Sequence, residues 1–236
     1  MAVAVEIPEL EWDMFLRQFV WRQGEHVSMV GPTGSGKTTL MLEILHRRAL
    51  VCVFANKPRD DTMNKLAKSG EFKVVPRFEY SEHQRKIILW PKGKDISDYE
   101  EVQAKAYYDA LSKIWRIGYY AVVFDEVRYI CQNLKLDKYV QLFWQQARAL
   151  RVSVVAGTQR PAFVPVMMFD QATHLFFWCD NDELNLKRIG GLGATNSKMI
   201  REVVSHLKPR QVLYLNTRTG FMCTTKVEIQ KGPDKK

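Results

Sequence analysis

Residues Gly31 to Thr38 read GPTGSGKT and fit the spacing GxxxxGK[ST] at every fixed position. The chemistry that spacing serves is phosphate binding. Glycines let backbone N–H groups curl around phosphate oxygens, and a helix beginning directly after them points its positive end at the same place. The candidate contacts to a nucleoside triphosphate are therefore Gly31, Pro32, Thr33, Gly34, Ser35, Gly36, Lys37, Thr38 and Thr39. Lys37 is expected on the β- and γ-phosphates and the Thr38 hydroxyl on Mg²⁺, so that ATP and Mg²⁺ are the expected cofactors.

Three further stretches supply groups that could act on a bound triphosphate. AVVFDEVRYI carries an apolar run into Asp125 and Glu126. A carboxylate at the end of a buried strand can hold Mg²⁺ through water, which is the role expected of Asp125. Glu126 follows directly and is placed to orient and deprotonate a water, which favours hydrolysis over transfer to a small acceptor. VSVVAGTQRP ends in Thr158 and Gln159. If that strand lies beside the one entering the glycine loop, Gln159 can hydrogen-bond both the γ-phosphate and the water. QQARALR supplies Arg148 and Arg151, whose guanidinium forks match phosphate oxygens. Arg148 is the candidate for insertion into a neighbouring subunit's site. Each residue also has a plainer reading, as a solvated strand end or a surface cation.

The elements that must hold these residues alternate. EHVSMVG, ALVCVFAN, RKIILW, AVVFDE, VSVVAGT and THLFFWC have the apolar, β-branched and aromatic bias of buried strands. TTLMLEILHRRAL, DDTMNKLAKSG, ISDYEEVQAKAYYDALSKIWRIG and QLFWQQARAL have helical spacing, the third ending at Gly118. Alternation of this kind predicts an α/β fold, doubly wound, with a mostly parallel sheet and helices on both faces. An amphipathic helix within residues 1–23 is expected to cap the domain through Leu10, Met14, Leu16, Phe19 and Val20. Residues 24–185 form the expected core and 186–236 a basic extension, the whole being one domain.

The 236 residues are 46% hydrophobic, ample for a packed core. Neither a membrane span nor a secretory leader is visible. Four dispersed cysteines, Cys52, Cys131, Cys179 and Cys223, read as reduced thiols of a cytoplasmic protein. The net charge of +9 is unevenly spread: residues 187–236 hold 11 Lys and Arg against 3 Asp and Glu. Such a segment suggests a polyanionic partner, although a solubilising tail, frayed at KGPDKK, has the same charge. TNSKMIREVVSHL should dock through Met199, Ile200, Val203, Val204 and Leu207, with its basic face outward. A hairpin should follow, turning at Thr217 to Gly220. Lys198, Arg201, Lys208, Arg210 and Arg218 are the candidate contacts to double-stranded DNA through its phosphates.

Taken together, GEHVSMVGPTGSGKTTL, VVFDE and QQARALRVSVVAGTQRP resemble the HerA/FtsK superfamily of DNA-pumping ATPases over about residues 24–180. The compact size is similar to the viral and phage genome-packaging members. The resemblance implies a P-loop fold with strand order 5-1-4-3-2, placing the Gln159 strand between those of Lys37 and Asp125. It also implies a homo-oligomeric ring, commonly a hexamer, that moves double-stranded DNA through its pore, with Arg148 reaching the next subunit's site. Viral genome packaging would add a capsid or portal-type docking partner, in the host cytoplasm or on the virion. One departure is ANKPRD, with Asn56 and Lys57, where the family often has an acidic residue in a DPKG-like turn. Two other readings stand beside this one: a Zot-like phage assembly factor and a small-molecule P-loop kinase.

Overall fold

Seven chain segments too apolar to face water on either side build the middle of one ten-stranded sheet. In the computed structural model, which describes residues 7–191 and 197–228, the elements run in this order. β1 (Glu9–Leu10), α1 (Trp12–Gln18), β2 (Val27–Val30), α2 (Lys37–Leu45), β3 (Val51–Phe54), α3 (Asp61–Lys68), β4 (Lys73–Val75) and β5 (Lys86–Leu89) form the first half. There follow α4 (Tyr99–Ile117), β6 (Ala121–Phe124), α5 (Val127–Gln132), α6 (Asp137–Gln146), β7 (Ser153–Thr158), α7 (Met167–Asp170) and β8 (His174–Trp178). α8 (Glu183–Gly190), α9 (Ser197–His206), β9 (Gln211–Asn216) and β10 (Met222–Lys226) complete the chain. Residues 1–6, 192–196 and 229–236 lie outside the described residues, and with them the KGPDKK end and the first residues of the expected basic helix.

The sheet order is β1-β10-β9-β8-β2-β7-β6-β3-β5-β4. The expected five-strand order lies within it as β8-β2-β7-β6-β3, all parallel. The sheet is longer than that order implies, however. β5 and β4 extend one side in parallel, while β9 and β10 add an antiparallel hairpin on the other and β1 closes it. The C-terminal hairpin is thus part of the sheet rather than an appendage. It joins there because Val212, Leu213, Tyr214 and Leu215 are apolar on both faces and need covering as the central strands do.

Strand side chains alternate between two cores. Cys52, Phe54, Val122, Phe124, Val154 and Ala156 face α4 to α6, together with α8 and α9. Met29, Val51, Val53, Val123 and Val155 face α1, α2 and α3. Helices on both faces oblige every parallel strand to end on the same side, so residues following the strands gather along one edge. Two local signals fix helix ends: Asp60 caps α3 by accepting from the Thr62 and Met63 amides, and α4 stops at Gly118.

The first helix is rotated from its expected phase. Trp12 and Phe15 are buried, with Phe19 and Trp21 just beyond, whereas Met14 and Val20 are 48% and 63% exposed. Phe15 and Phe19 sit edge-on to Phe176 and Tyr214, so aromatic packing sets the rotation and the aliphatic positions turn outward. On α9 the expected apolar face does dock, with Ile200, Val204 and Leu207 buried and Met199 and Val203 half-buried.

Candidate active site

β2 delivers the chain to Gly31 at the edge where the parallel strands end, and α2 begins at Lys37. A side chain at Gly31 would come within 2.6 Å of Trp178 Cβ at the end of β8, so only glycine lets the loop start this close to the sheet. Gly36 has φ 108°, a left-handed turn that aims the first amides of α2 into the loop. The Ser35 hydroxyl is buried there without a hydrogen-bond partner. A buried polar atom costs free energy unless something satisfies it, and a phosphate oxygen in the loop would do so.

Lys37 is 7% exposed, and its ammonium donates to the carbonyls of Gly31 at 2.6 Å and Pro32 at 2.8 Å. Burial pushes its pKa down, while Asp125 and Glu126 pull it back up. Neutral carbonyls hold the lysine but do not neutralise it. The loop is therefore a basic cavity whose charge calls for an anion.

β6 pairs with β7 on one side and β3 on the other, and it ends in Asp125 and Glu126. The Thr38 hydroxyl donates to Asp125 Oδ1 at 2.9 Å, joining the two oxygens expected to serve Mg²⁺. Among the described residues no cluster of three His, Cys, Asp or Glu could hold a metal ion by itself. Mg²⁺ typically takes one or two protein oxygens and completes its shell from phosphates and water. Thr38 and Asp125 would hold it.

Glu126 Oε1 accepts from the Thr158 hydroxyl at 3.3 Å and the Arg128 amide at 3.4 Å. Burial raises its pKa above the ordinary 4.5, and those two donors only partly offset the rise. A carboxylate raised in this way is a better proton acceptor than an exposed one. Gln159 lies just past β7, between the strands of the loop and of Asp125, as expected. Its Oε1 accepts from the Thr33 hydroxyl at 2.8 Å, which ties it to the glycine loop.

These groups border a cavity of about 480 Å³ that extends beyond Asp125 towards β3. Lys57, three residues past the end of β3, lines it there with its ammonium 3.5 Å from Asp125 Oδ2 and 3.3 Å from Asp60 Oδ2. Burial opposes its charge, but Asp125 and Asp60 more than compensate and hold its pKa above the usual lysine value. The backbone beneath it is fixed: Trp90 Nε1 donates to the Lys57 carbonyl, while Tyr99 and Gln103 donate to that of Asn56. Lys57 is the site residue that motif spacing missed. The available signal was topological, since it follows a parallel strand adjacent to that of Asp125.

Arg148 is elsewhere. It lies in a 3-10 turn over Ala147–Leu150, before β7, so the length of that six-residue strand separates it from Gln159. At about 3.3 Å per residue that is roughly 20 Å, and Arg148 cannot reach its own cavity. It is exposed, and its Nη2 donates to the Thr173 hydroxyl at 3.0 Å. The five basic candidates do not share one face. Lys198, Lys208 and Arg210 are exposed, the last two beside the start of β9 on the loop's edge. Arg201 lies half-buried against Gly190 and donates to the Ser197 carbonyl. Arg218 is at the hairpin tip as expected, but that tip is on the opposite edge, where Arg218 donates to the buried Glu25 at 2.9 Å. Antiparallel pairing of β9 with β8 carries it there.

Neither a protein-family model nor a curated protein matches the chain by sequence. Solved structures do match its fold. The genome packaging NTPase B204 from Sulfolobus turreted icosahedral virus 2, in complex with sulfate, superposes with a TM-score of 0.64 at 14% identity, over 89% of this chain and 100% of that one. The same protein in complex with ATP-gammaS gives 0.62 at 14% identity, again over 89% and 100%. VirB4 of Thermoanaerobacter pseudethanolicus gives 0.65 at 10% identity, over 89% and 90%. The chain has the fold of these structures, with the glycine loop of a P-loop protein. Within that P-loop fold, Lys37, Thr38, Asp125, Glu126 and Gln159 meet at the ends of adjacent strands. No helix among the described residues is long and apolar enough to cross a membrane.

Proposed function

We propose that this protein hydrolyses ATP with Mg²⁺ and couples the reaction to movement of double-stranded DNA, in viral genome packaging. The observation that carries the reading is the joining of glycine loop, metal side and water side: Thr38 to Asp125 at 2.9 Å and Thr33 to Gln159 at 2.8 Å, with Glu126 between. Lys37 binds the β- and γ-phosphates, exchanging its carbonyl partners for phosphate oxygens. Thr38 and Asp125 would hold Mg²⁺, which when bound would neutralise phosphate charge. Glu126 takes the proton of the attacking water, and Gln159 orients that water while its bond to Thr33 reports the state of the loop.

The resemblance to ring-forming ATPases implies a homo-oligomeric ring, a hexamer being favoured, and an exposed Arg148 too far from its own cavity supports that reading. It serves the neighbouring subunit, stabilising charge in the transition state. Lys198, Lys208 and Arg210 are the DNA contacts that remain exposed, with Arg201 and Arg218 constrained by their own partners. A capsid or portal-type partner would dock the ring, in the host cytoplasm or on the virion.

The test is the steady-state rate of ATP hydrolysis as double-stranded DNA is titrated in, with Glu126→Gln as control. Stimulation by DNA that is lost in the variant is the expected result. DNA affinity should also fall steeply with salt, and removing Lys208 or Arg210 should each reduce the log–log slope by about 1. Hydrolysis indifferent to DNA contradicts the coupling.

A further inference from the structure

Lys57 and Lys37 approach Asp125 from opposite sides. Lys37 follows β2, Lys57 follows β3, and between them in the sheet stand β7 with Gln159 and β6 with Asp125 and Glu126. Both lysines line the cavity. Lys57 lies 3.3 and 3.5 Å from its two carboxylates, longer than the 2.7–2.9 Å of a close ammonium–carboxylate bond. Its side chain is 55% exposed towards the cavity, whereas its backbone is clamped by Trp90. Asp60 is equally fixed, with Oδ1 committed to the amides of α3. The arrangement is an exposed cation on a fixed backbone, shared loosely between two anions, one of which is the carboxylate expected to serve Mg²⁺.

We infer that Lys57 is a second phosphate-binding lysine, which leaves Asp125 for the terminal phosphate of the nucleotide and so distinguishes a triphosphate from a diphosphate. When Asp125 is engaged with Mg²⁺, the Lys57 ammonium loses that partner and meets like charge. Lys37 holds the terminal phosphate from the β2 side and Lys57 lines the same cavity from the β3 side, so that phosphate is the anion open to both ammonium groups. A diphosphate held by Lys37 and the loop offers nothing at that position. The inference rests on the nucleotide site proposed above and adds a residue to it.

The experiment is calorimetric titration of the full chain with Mg²⁺–ATPγS and with Mg²⁺–ADP, for the wild type, Lys57→Ala, Lys57→Met and Lys57→Arg. Circular dichroism verifies that each is folded. Lys57→Ala and Lys57→Met are expected to weaken ATPγS at least tenfold and ADP less than twofold, with Lys57→Arg keeping most of the discrimination. Equal weakening of both nucleotides, no change, or tighter ATPγS binding would overturn the inference and make Lys57 a counterion to Asp125. Failure of the wild type to bind either nucleotide would remove the site itself, a separate outcome visible before any variant is compared.

Discussion

The two edges of the sheet hold similar side chains under opposite conditions. At the edge where the parallel strands end, Lys37 leans on neutral carbonyls, Ser35 has an unsatisfied hydroxyl, and Lys57 is shared loosely between two carboxylates. At the other edge, Glu25 accepts from Arg218 at 2.9 Å and from the Arg22 amide at 2.7 Å, and lies 3.1 Å from His174 Nε2. Burial pushes His174 towards its neutral form, with its other nitrogen 2.9 Å from the Tyr214 hydroxyl. Burial alone would raise the pKa of Glu25, yet the Arg22 amide, His174 and Arg218 together bring it below 4.5. One edge pairs most of its charged groups with one another, leaving His26 Nε2 and Arg48 Nε unpartnered; the other is charged and incomplete. The contrast marks where an anion would bind, because Lys37 carries a buried charge there against neutral carbonyls.

Substitutions at the two edges should therefore fail in different ways. Glu126→Gln is expected to lower the hydrolysis rate by about 10²–10⁴-fold, the usual range for a removed general base, while nucleotide affinity and melting temperature hardly change. Its pH profile sharpens the point. Because burial raises the pKa of Glu126, the acid limb of the wild-type rate should lie above the range of an ordinary glutamate. Glu25→Ala should do the reverse, costing about 3 kcal/mol in urea unfolding because it leaves His174 Nε2 and the Arg22 amide without their acceptor while the half-exposed Arg218 turns to water, with ATPγS affinity preserved in protein that remains folded.

A smaller effect belongs to His26, which is buried beside the same edge. Its Nδ1 accepts from the Val154 amide, and burial, with Arg148 nearby, lowers its pKa to about 4. The unfolded chain then binds a proton from about pH 6.5 downward while the folded one does not. Stability should be complete above pH 6.5 and fall by about 2–3 kcal/mol on the way to pH 4. His26→Asn keeps an acceptor for Val154 and should flatten that part of the curve, as urea unfolding at pH 7 and pH 4.5 would measure.

What the sequence made legible follows the same division. The glycine loop, Asp125, Glu126 and Gln159 could be read because each sits at the end of an apolar run too β-rich to be anything but a buried parallel strand, and such strands end together. Lys57 obeys the same geometry, but it matches no spacing motif. The pairing of Arg218 with Glu25 spans 193 residues and depends on the hairpin joining the sheet antiparallel to β8, which local patterning does not encode. The rotation of α1 was illegible for a related reason: Phe15 and Phe19 are placed by aromatic partners on β8 and β9, while Met14 and Val20, equally apolar by type, have none. Strands as short as β1 and β4 carry too few residues to show a period.

In the proposed ring the two edges become halves of one site, the incomplete edge of each subunit receiving Arg148 from the edge of the next. The most direct test mixes two inactive variants. Glu126→Gln removes the water-activating group but keeps Arg148; Arg148→Ala keeps the cavity but removes the cation offered to the neighbour. Each alone should hydrolyse ATP at a small fraction of the wild-type rate. An equal, randomly assembled mixture should recover about a quarter of it, since that is the share of interfaces pairing an intact cavity with an intact arginine in a head-to-tail ring. A mixture no more active than its components, or Arg148→Ala protein as fast as the wild type, would contradict the account.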